Sequence, residues 1–288
     1  MKQEPLDNAL LLGEFAEFIA ERWLSGYPHT YPITRHRAWN SWRARHGGQS
    51  IPWRCDSLSQ AARHWCWTES GTEPSFSDLA NSLQAAIATR DEAEAEQLCY
   101  RIYRWGGVDR KPGDHSHIWV RKAAEAGRLS TDLEEAVALL SPSCTRPLDR
   151  FNANDLPMTS ATTKLFAAAA IDGRVAIYDS RVGAGLGLLA KQFLEAHGID
   201  GVPEVLHFRW GAAQSPAQNA ARTRDPSGAN HVFLALPTGP YAHRPRADLS
   251  RRTNMLFQAV IERLAARAVT ATFLELERAL FMIGYRVR

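Results

Sequence analysis

Apolar residues recur three and four positions apart through most of the chain, which leaves little room for anything but helices. Leu11, Phe15, Phe18 and Ile19 set the pattern. Phe76, Leu79, Leu83 and Ile87 repeat it, and Leu249, Leu256, Phe257, Val260, Ile261 and Leu264 carry it near the end. With their start and stop signals, these stripes predict helices over about 6–25, 35–46, 58–67, 75–87, 91–105, 114–126, 131–140, 161–171, 179–197, 249–264 and 273–283. Gly47-Gly48 and Gly106-Gly107 read as stops. Ser75 to Asp78 reads as a start, and Thr131 to Glu134 as a capping box. The stretch 201–246 breaks the pattern with six prolines. It reads as a loop-rich insertion with a small hairpin made from Val205–Phe208 and His231–Leu236. The expected class is mainly α.

A chain of 288 residues, 45% hydrophobic and 23% charged, suits one large domain or two lobes sharing a cleft, and excludes a disordered chain. No apolar run is long enough to span a bilayer, and Met1 to Pro5 lacks the apolar core of a signal peptide, so the expected location is cytoplasmic, with no membrane partner. Cys55, Cys66, Cys99 and Cys144 form no Cys-x-x-Cys pair and no common zinc spacing; they read as reduced, mostly buried thiols. His115 and His117 admit a metal, but the missing third ligand favours a solvated helix start. No metal and no cofactor are therefore expected. Net charge is +3, which permits nucleic-acid binding without requiring it. Only five lysines are present, Lys2, Lys111, Lys122, Lys164 and Lys191, and the other cations are nearly all arginine. Arginine suits phosphate and base contacts; a GC-rich genome explains the bias equally well.

One segment carries chemistry. Met158-Thr-Ser-Ala-Thr-Thr-Lys164 puts a lysine in the first turn of a helix, and Val175-Ala-Ile-Tyr-Asp179 delivers an aspartate to the start of the next by a short extended return. An amine and a carboxylate held near each other suit cleavage of a glycosidic bond. Departure of a base leaves positive charge on the sugar; a carboxylate stabilises it, and an amine or an activated water attacks the anomeric carbon. Taken singly, the aspartate is an ordinary N-cap and the lysine an ordinary solvated side chain.

In this register the chain resembles the helix-hairpin-helix DNA glycosylase superfamily, in which a hairpin of the form Leu-Pro-Gly-Val-Gly-x-Lys precedes a helix and an extended turn brings an aspartate to the next one. Residues 158–164 lie over the hairpin and Asp179 over the aspartate, so the resemblance covers about 40 residues within helical flanks. It implies a two-lobed fold, with a central lobe at 75–170 and a second lobe made of 1–74 and 171–288. It further implies a monomeric DNA N-glycosylase acting on a flipped, damaged or hypermodified base, with antiviral excision from phage DNA as one setting. Asp179 and Lys164 would be catalytic, close enough for one sugar to touch both. Thr159, Ser160, Thr162, Thr163 and Arg181 would contact DNA, the turn at 159–164 presenting its backbone amides outward to a phosphate. Trp39, Trp42, Trp105 and Tyr178 would line the base pocket or wedge the duplex, with His36, Asn40 and Arg43 beside the first two. The basic stretch Tyr241 to Arg246, with Arg251 and Arg252, either touches phosphates or is a solvated loop.

The departures are specific. Ser160 and Thr162 occupy the glycine positions of the hairpin, so hydroxyls would replace close backbone approach. The interval from Lys164 to Asp179 is a few residues short. All four cysteines precede the motif, so the iron–sulfur cluster of some relatives is not expected. Two other readings stand beside the enzyme: a non-catalytic helix-hairpin-helix DNA-binding module, and an unrelated helical interaction protein.

Overall fold

Helix starts are set by side chains that accept the first free amides. Ser75 caps Phe76–Thr89, Asp91 caps Glu92–Trp105, Asp114 caps His115–Glu125, and Thr272 and Glu275 form a reciprocal capping box on Phe273–Ile283. A computed structural model describes residues 8–35, 39–66, 74–109, 114–212 and 222–288. In chain order its elements are α1 (Asn8–Leu24), β1 (His29–Tyr31), α2 (Asn40–Arg45), β2 (Trp53–Cys55), α3 (Leu58–Arg63), α4 (Phe76–Thr89), α5 (Glu92–Trp105), α6 (His115–Glu125), α7 (Leu129–Leu140), α8 (Thr162–Ala169), α9 (Ser180–Ala196), α10 (His243–Ala265) and α11 (Phe273–Ile283). The protein is mainly helical, and no described helix is long and apolar enough to cross a membrane.

The chain divides into two compact units. One combines 1–68, 179–236 and 256–288. Its core is built on rings from α1, α9 and the loop after α9: Phe15 lies 5.4 Å from Phe193 and 6.2 Å from Phe208, and Phe18 lies 5.5 Å from Phe193. Helix α11 packs on α9 and α3. Its approach to α9 requires Gly185, where a Cβ would stand 2.5 Å from the Leu280 carbonyl oxygen. The unit also holds a feature the sequence reading misses. Strands β1 and β2 pair antiparallel, Thr30 opposite Arg54, and stack Tyr31 on Trp53 at 4.9 Å. The insertion does not form the expected hairpin. Among the described residues it has 3-10 turns at Glu204–Leu206 and Arg222–Arg224 and a single parallel bridge, Trp210 to Ala235.

The other unit combines 69–178 and 237–255, so α10 contributes residues to both. Helix α8 packs on α4, α5 and α7 around a core that includes Leu83, Leu98, Ile102, Val120, Leu133, Leu165 and Phe166. The expected lobe, 75–170, did not include 237–255. That segment groups here because Ala247 enters the core and buried Asn254 serves two distant backbones: its Nδ2 donates to Leu140 O at 2.9 Å, and its Oδ1 accepts from Ala176 N at 3.0 Å. Helix α7 begins at Leu129, ahead of the expected Thr131 box. Leu129 is drawn into the core, the Glu92 carboxylate accepts from Ser130 N, and Arg128 pairs with buried Asp132 one turn on.

Candidate active site

The turn before α8 is closed on itself by hydroxyls. Thr159 Oγ1 accepts from the amides of Ala161 and Thr162, both at 3.1 Å, while Thr159 N donates to Thr162 Oγ1 at 2.9 Å. The Thr162 hydroxyl donates in turn to Pro157 O at 2.5 Å, and Ser116 Oγ sits 3.0 Å from Thr159 Oγ1. Thr163 N donates to Thr159 O and Lys164 N to Ala161 O. This overturns the expectation of a row of outward amides. Thr162 and Thr163 are buried, Thr159 is half-buried, and only Ser160 among the four hydroxyl residues is exposed. The hydroxyls of Thr159 and Thr162 satisfy the local backbone, and Thr162 and Thr163 are buried away from the surface.

Lys164 does not project into solvent. It is 6% exposed, and its Nζ donates to Ser160 O at 2.6 Å, one turn back. Its stem passes over Gly106 at the end of α5. The neighbouring Trp105 is buried against Phe76, ring centroids 4.6 Å apart, and its indole N–H has no hydrogen-bond partner among the described residues. The return over 175–178 forms neither helix nor paired strand. Side chains satisfy it: Asn254 takes Ala176 N, and Thr163 Oγ1 takes the amide of buried Tyr178 at 3.1 Å. Residue 178 is thereby held beside residue 163.

Asp179 opens the other unit. Its backbone is extended, φ −113° and ψ −177°, and its Oδ1 accepts from Arg181 N at 2.8 Å and Val182 N at 2.9 Å. Oδ2 takes no hydrogen bond from any described residue. The carboxylate thus stands, fixed through one oxygen, at the positive end of a 17-residue helix. Two arginines attend it. The Arg181 guanidinium lies over the rings of Phe281, at 4.4 Å, and Tyr285, at 5.2 Å, so it is engaged inside its unit and not extended toward a phosphate as expected. Burial lowers its pKa, against the attraction of Asp179. Arg224, which the sequence reading passes over, donates from Nη1 to Ser180 Oγ at 3.1 Å. Burial and the nearby Arg181 charge bring its pKa down to about 10, again against Asp179. It comes from the proline-rich insertion, where no local pattern marks it.

Trp39 and Trp42 belong to the core, at 1% and 2% exposure. Trp39 packs edge-on against Tyr285 at 4.8 Å, and Trp42 lies between His46 and His64 while donating to Ile51 O. Neither is placed to wedge a duplex; His36 lies outside the described residues. The basic stretch is neither a solvated loop nor a free row of cations. Arg246 donates to Pro237 O, Arg251 to Arg146 O, Arg252 pairs with Asp248, and Arg244 lies 3.0 Å from Asp149. Tyr241 is 91% exposed. Among the described residues no group of three or more His, Cys, Asp or Glu could hold a metal ion, and His117 pairs instead with Asp109 at 2.9 Å. Cys55, Cys66 and Cys99 are free and buried, and Cys144 is free and half-buried.

The structure therefore gathers Thr159, Ser160, Thr162, Thr163, Lys164, Trp105 and Tyr178 in one unit, and Asp179, Arg181, Trp39 and Trp42 in the other. Comparison with family models, curated proteins and solved structures finds no match to this chain.

Proposed function

We propose that this protein is a DNA N-glycosylase of the helix-hairpin-helix type, with Asp179 and Lys164 as its catalytic residues. One observation carries the reading: the lysine in the first turn of α8 is followed by a return pinned at Tyr178 to Thr163, and the next residue is an aspartate fixed by two amides at the start of α9. A carboxylate immobilised through one oxygen, with the other open, suits the stabilisation of a sugar cation. In the reaction the bond between C1′ and the base nitrogen breaks. The bonding pair leaves with the base, which gains a proton, and the oxygen of a water joins C1′ while that water gives up a proton. We favour water over direct attack by the lysine, because Ser160 and Thr162 replace the hairpin glycines and the interval from Lys164 to Asp179 is short, which shifts the lysine from the family's attacking position. Lys164 then serves as a cationic contact to the nucleotide.

The proposed substrate is a damaged or hypermodified base, with excision from phage DNA in antiviral defence as the setting to test. The divergent hairpin and the insertion at 201–246 support this over a housekeeping role. The protein is incubated with genomic DNAs of different modification, including phage DNA bearing glucosylated hydroxymethylcytosine, and released bases are read by mass spectrometry. Release by the wild type and its loss in folded Asp179→Asn is the expected result. Release unchanged in that variant refutes the catalytic role. DNA binding without release from any substrate returns the chain to the non-catalytic reading.

A further inference from the structure

Gly106 is followed by Gly107, and two glycines after a helix suggest nothing beyond a stop. Their conformations divide the work. Gly107, at φ +62°, makes the left-handed turn that ends α5. Gly106, at φ −75° and ψ −2°, has a backbone that any residue adopts, so conformation does not require a glycine there. The space does. A Cβ at 106 would lie 2.4 Å from Lys164 Cδ and 2.5 Å from Lys164 Cε, and the next neighbour, Ile102 O, is at 3.4 Å. Carbon atoms in contact sit at about 3.5–4.0 Å, so the lysine stem would have to move by roughly 1 Å or more.

We propose that Gly106 is a positioning residue for Lys164: the missing side chain opens the path along which the lysine stem runs, and so fixes where its amine stands. The inference that this matters for base release rests on the reading of Lys164 as a catalytic group. Nζ is one bond beyond Cε, so a stem pushed aside at Cδ and Cε takes the amine away from the Ser160 carbonyl. The displaced group is the far end of a flexible chain, and the backbone of residue 106 tolerates alanine. Fold stability is therefore little affected while amine geometry is.

The test is Gly106→Ala in the full chain, with two readouts. Acylation of lysines by an amine-reactive ester, quantified peptide by peptide, is expected to rise severalfold at Lys164 and to stay constant at Lys122 and Lys191. On a DNA the wild type processes, kcat is expected to fall by roughly 100-fold with KM little changed, the loss typical of a misplacement near 1 Å. Unchanged acylation at Lys164 overturns the proposal, as does raised acylation with an unchanged kcat. If the wild type releases no base from any DNA, the glycosylase reading fails, and acylation alone still decides whether Gly106 sets the path of the lysine. Should Gly106→Ala not fold, the double variant Gly106→Ala/Lys164→Ala decides: recovered folding identifies the stem as the obstacle, and continued failure overturns the proposal.

Discussion

Thr163→Val isolates the bond that pins the return to Asp179. The replacement keeps the β-branched shape and nearly the same helix propensity, and the site is buried, so packing changes little. What disappears is the acceptor for the Tyr178 amide, now at 3.1 Å. Tyr178 is itself buried, so the amide has no water to turn to. Leaving a buried donor unmade costs about 1–3 kcal/mol. The 288 residues unfold with an entropy near 0.6 kcal/mol/K, at about 2.1 cal/mol/K per residue, so the expected fall in the thermal midpoint is roughly 2–5 °C. Thr163→Ser restores the acceptor and is expected to recover the part of the loss that is due to the bond. Differential scanning calorimetry measures the shift, and hydrogen exchange at the Tyr178 amide reports the bond directly, with faster exchange in the valine variant. A midpoint and a Tyr178 exchange rate both equal to wild type would falsify the claim that this hydroxyl holds the return.

Three further outcomes follow from the same geometry. Asp179→Ala removes the acceptor for Arg181 N and Val182 N and is expected to cost about 1 kcal/mol in urea unfolding, whereas Asp179→Asn, which still caps, stays near wild type while base release is lost. Asn254→Leu leaves Leu140 O and Ala176 N without partners and should lower stability by about 2–4 kcal/mol, far more than a surface asparagine replaced in the same way. Burial lowers the pKa of His29, His207 and His243 below their ordinary 6.5. The folded chain therefore binds fewer protons than the unfolded one. The stability these rings contribute is complete above pH 6.5 and is lost as pH falls below it. Thermal midpoints measured between about pH 7 and pH 5 should decline, and less steeply in His243→Gln, because glutamine has no ring nitrogen that would give up the Met158 amide to bind a proton.

The helices were legible because each buries one face, and burial of one face is what the three-and-four spacing encodes. Their ends were legible where a side chain caps or a glycine turns, as at Ser75, Asp91 and Gly107. They were not where a partner distant in sequence intervenes. The Thr131 to Glu134 pattern is a sound local capping box, yet the amide of Ser130 finds Glu92, and α7 extends back to Leu129. Strands β1 and β2 are three residues each, too short for alternation to register, and their pairing depends on ring stacking across residues that no local window joins.

The site divides along the same line. A lysine in the first turn of one helix and an aspartate capping the next are local features, and both stand where the spacing puts them. The direction of the hydroxyls is not local. Threonine in place of hairpin glycine reads as polar surface offered to a ligand, because a hydroxyl next to a turn is most often solvated. Here Thr162 finds the Pro157 carbonyl and Thr163 finds an amide fifteen residues on, so both are spent inside the unit. The consequence for the proposed chemistry is a division of labour. A hairpin that grips phosphate through bare amides must leave them unmade when DNA is absent; the turn at 159–164 instead bonds the amides of 159 and 161 to 164 internally and supports the lysine and the return. Under the proposed reading, DNA would be held by side chains reaching outward, with Ser160 the exposed hydroxyl of the turn.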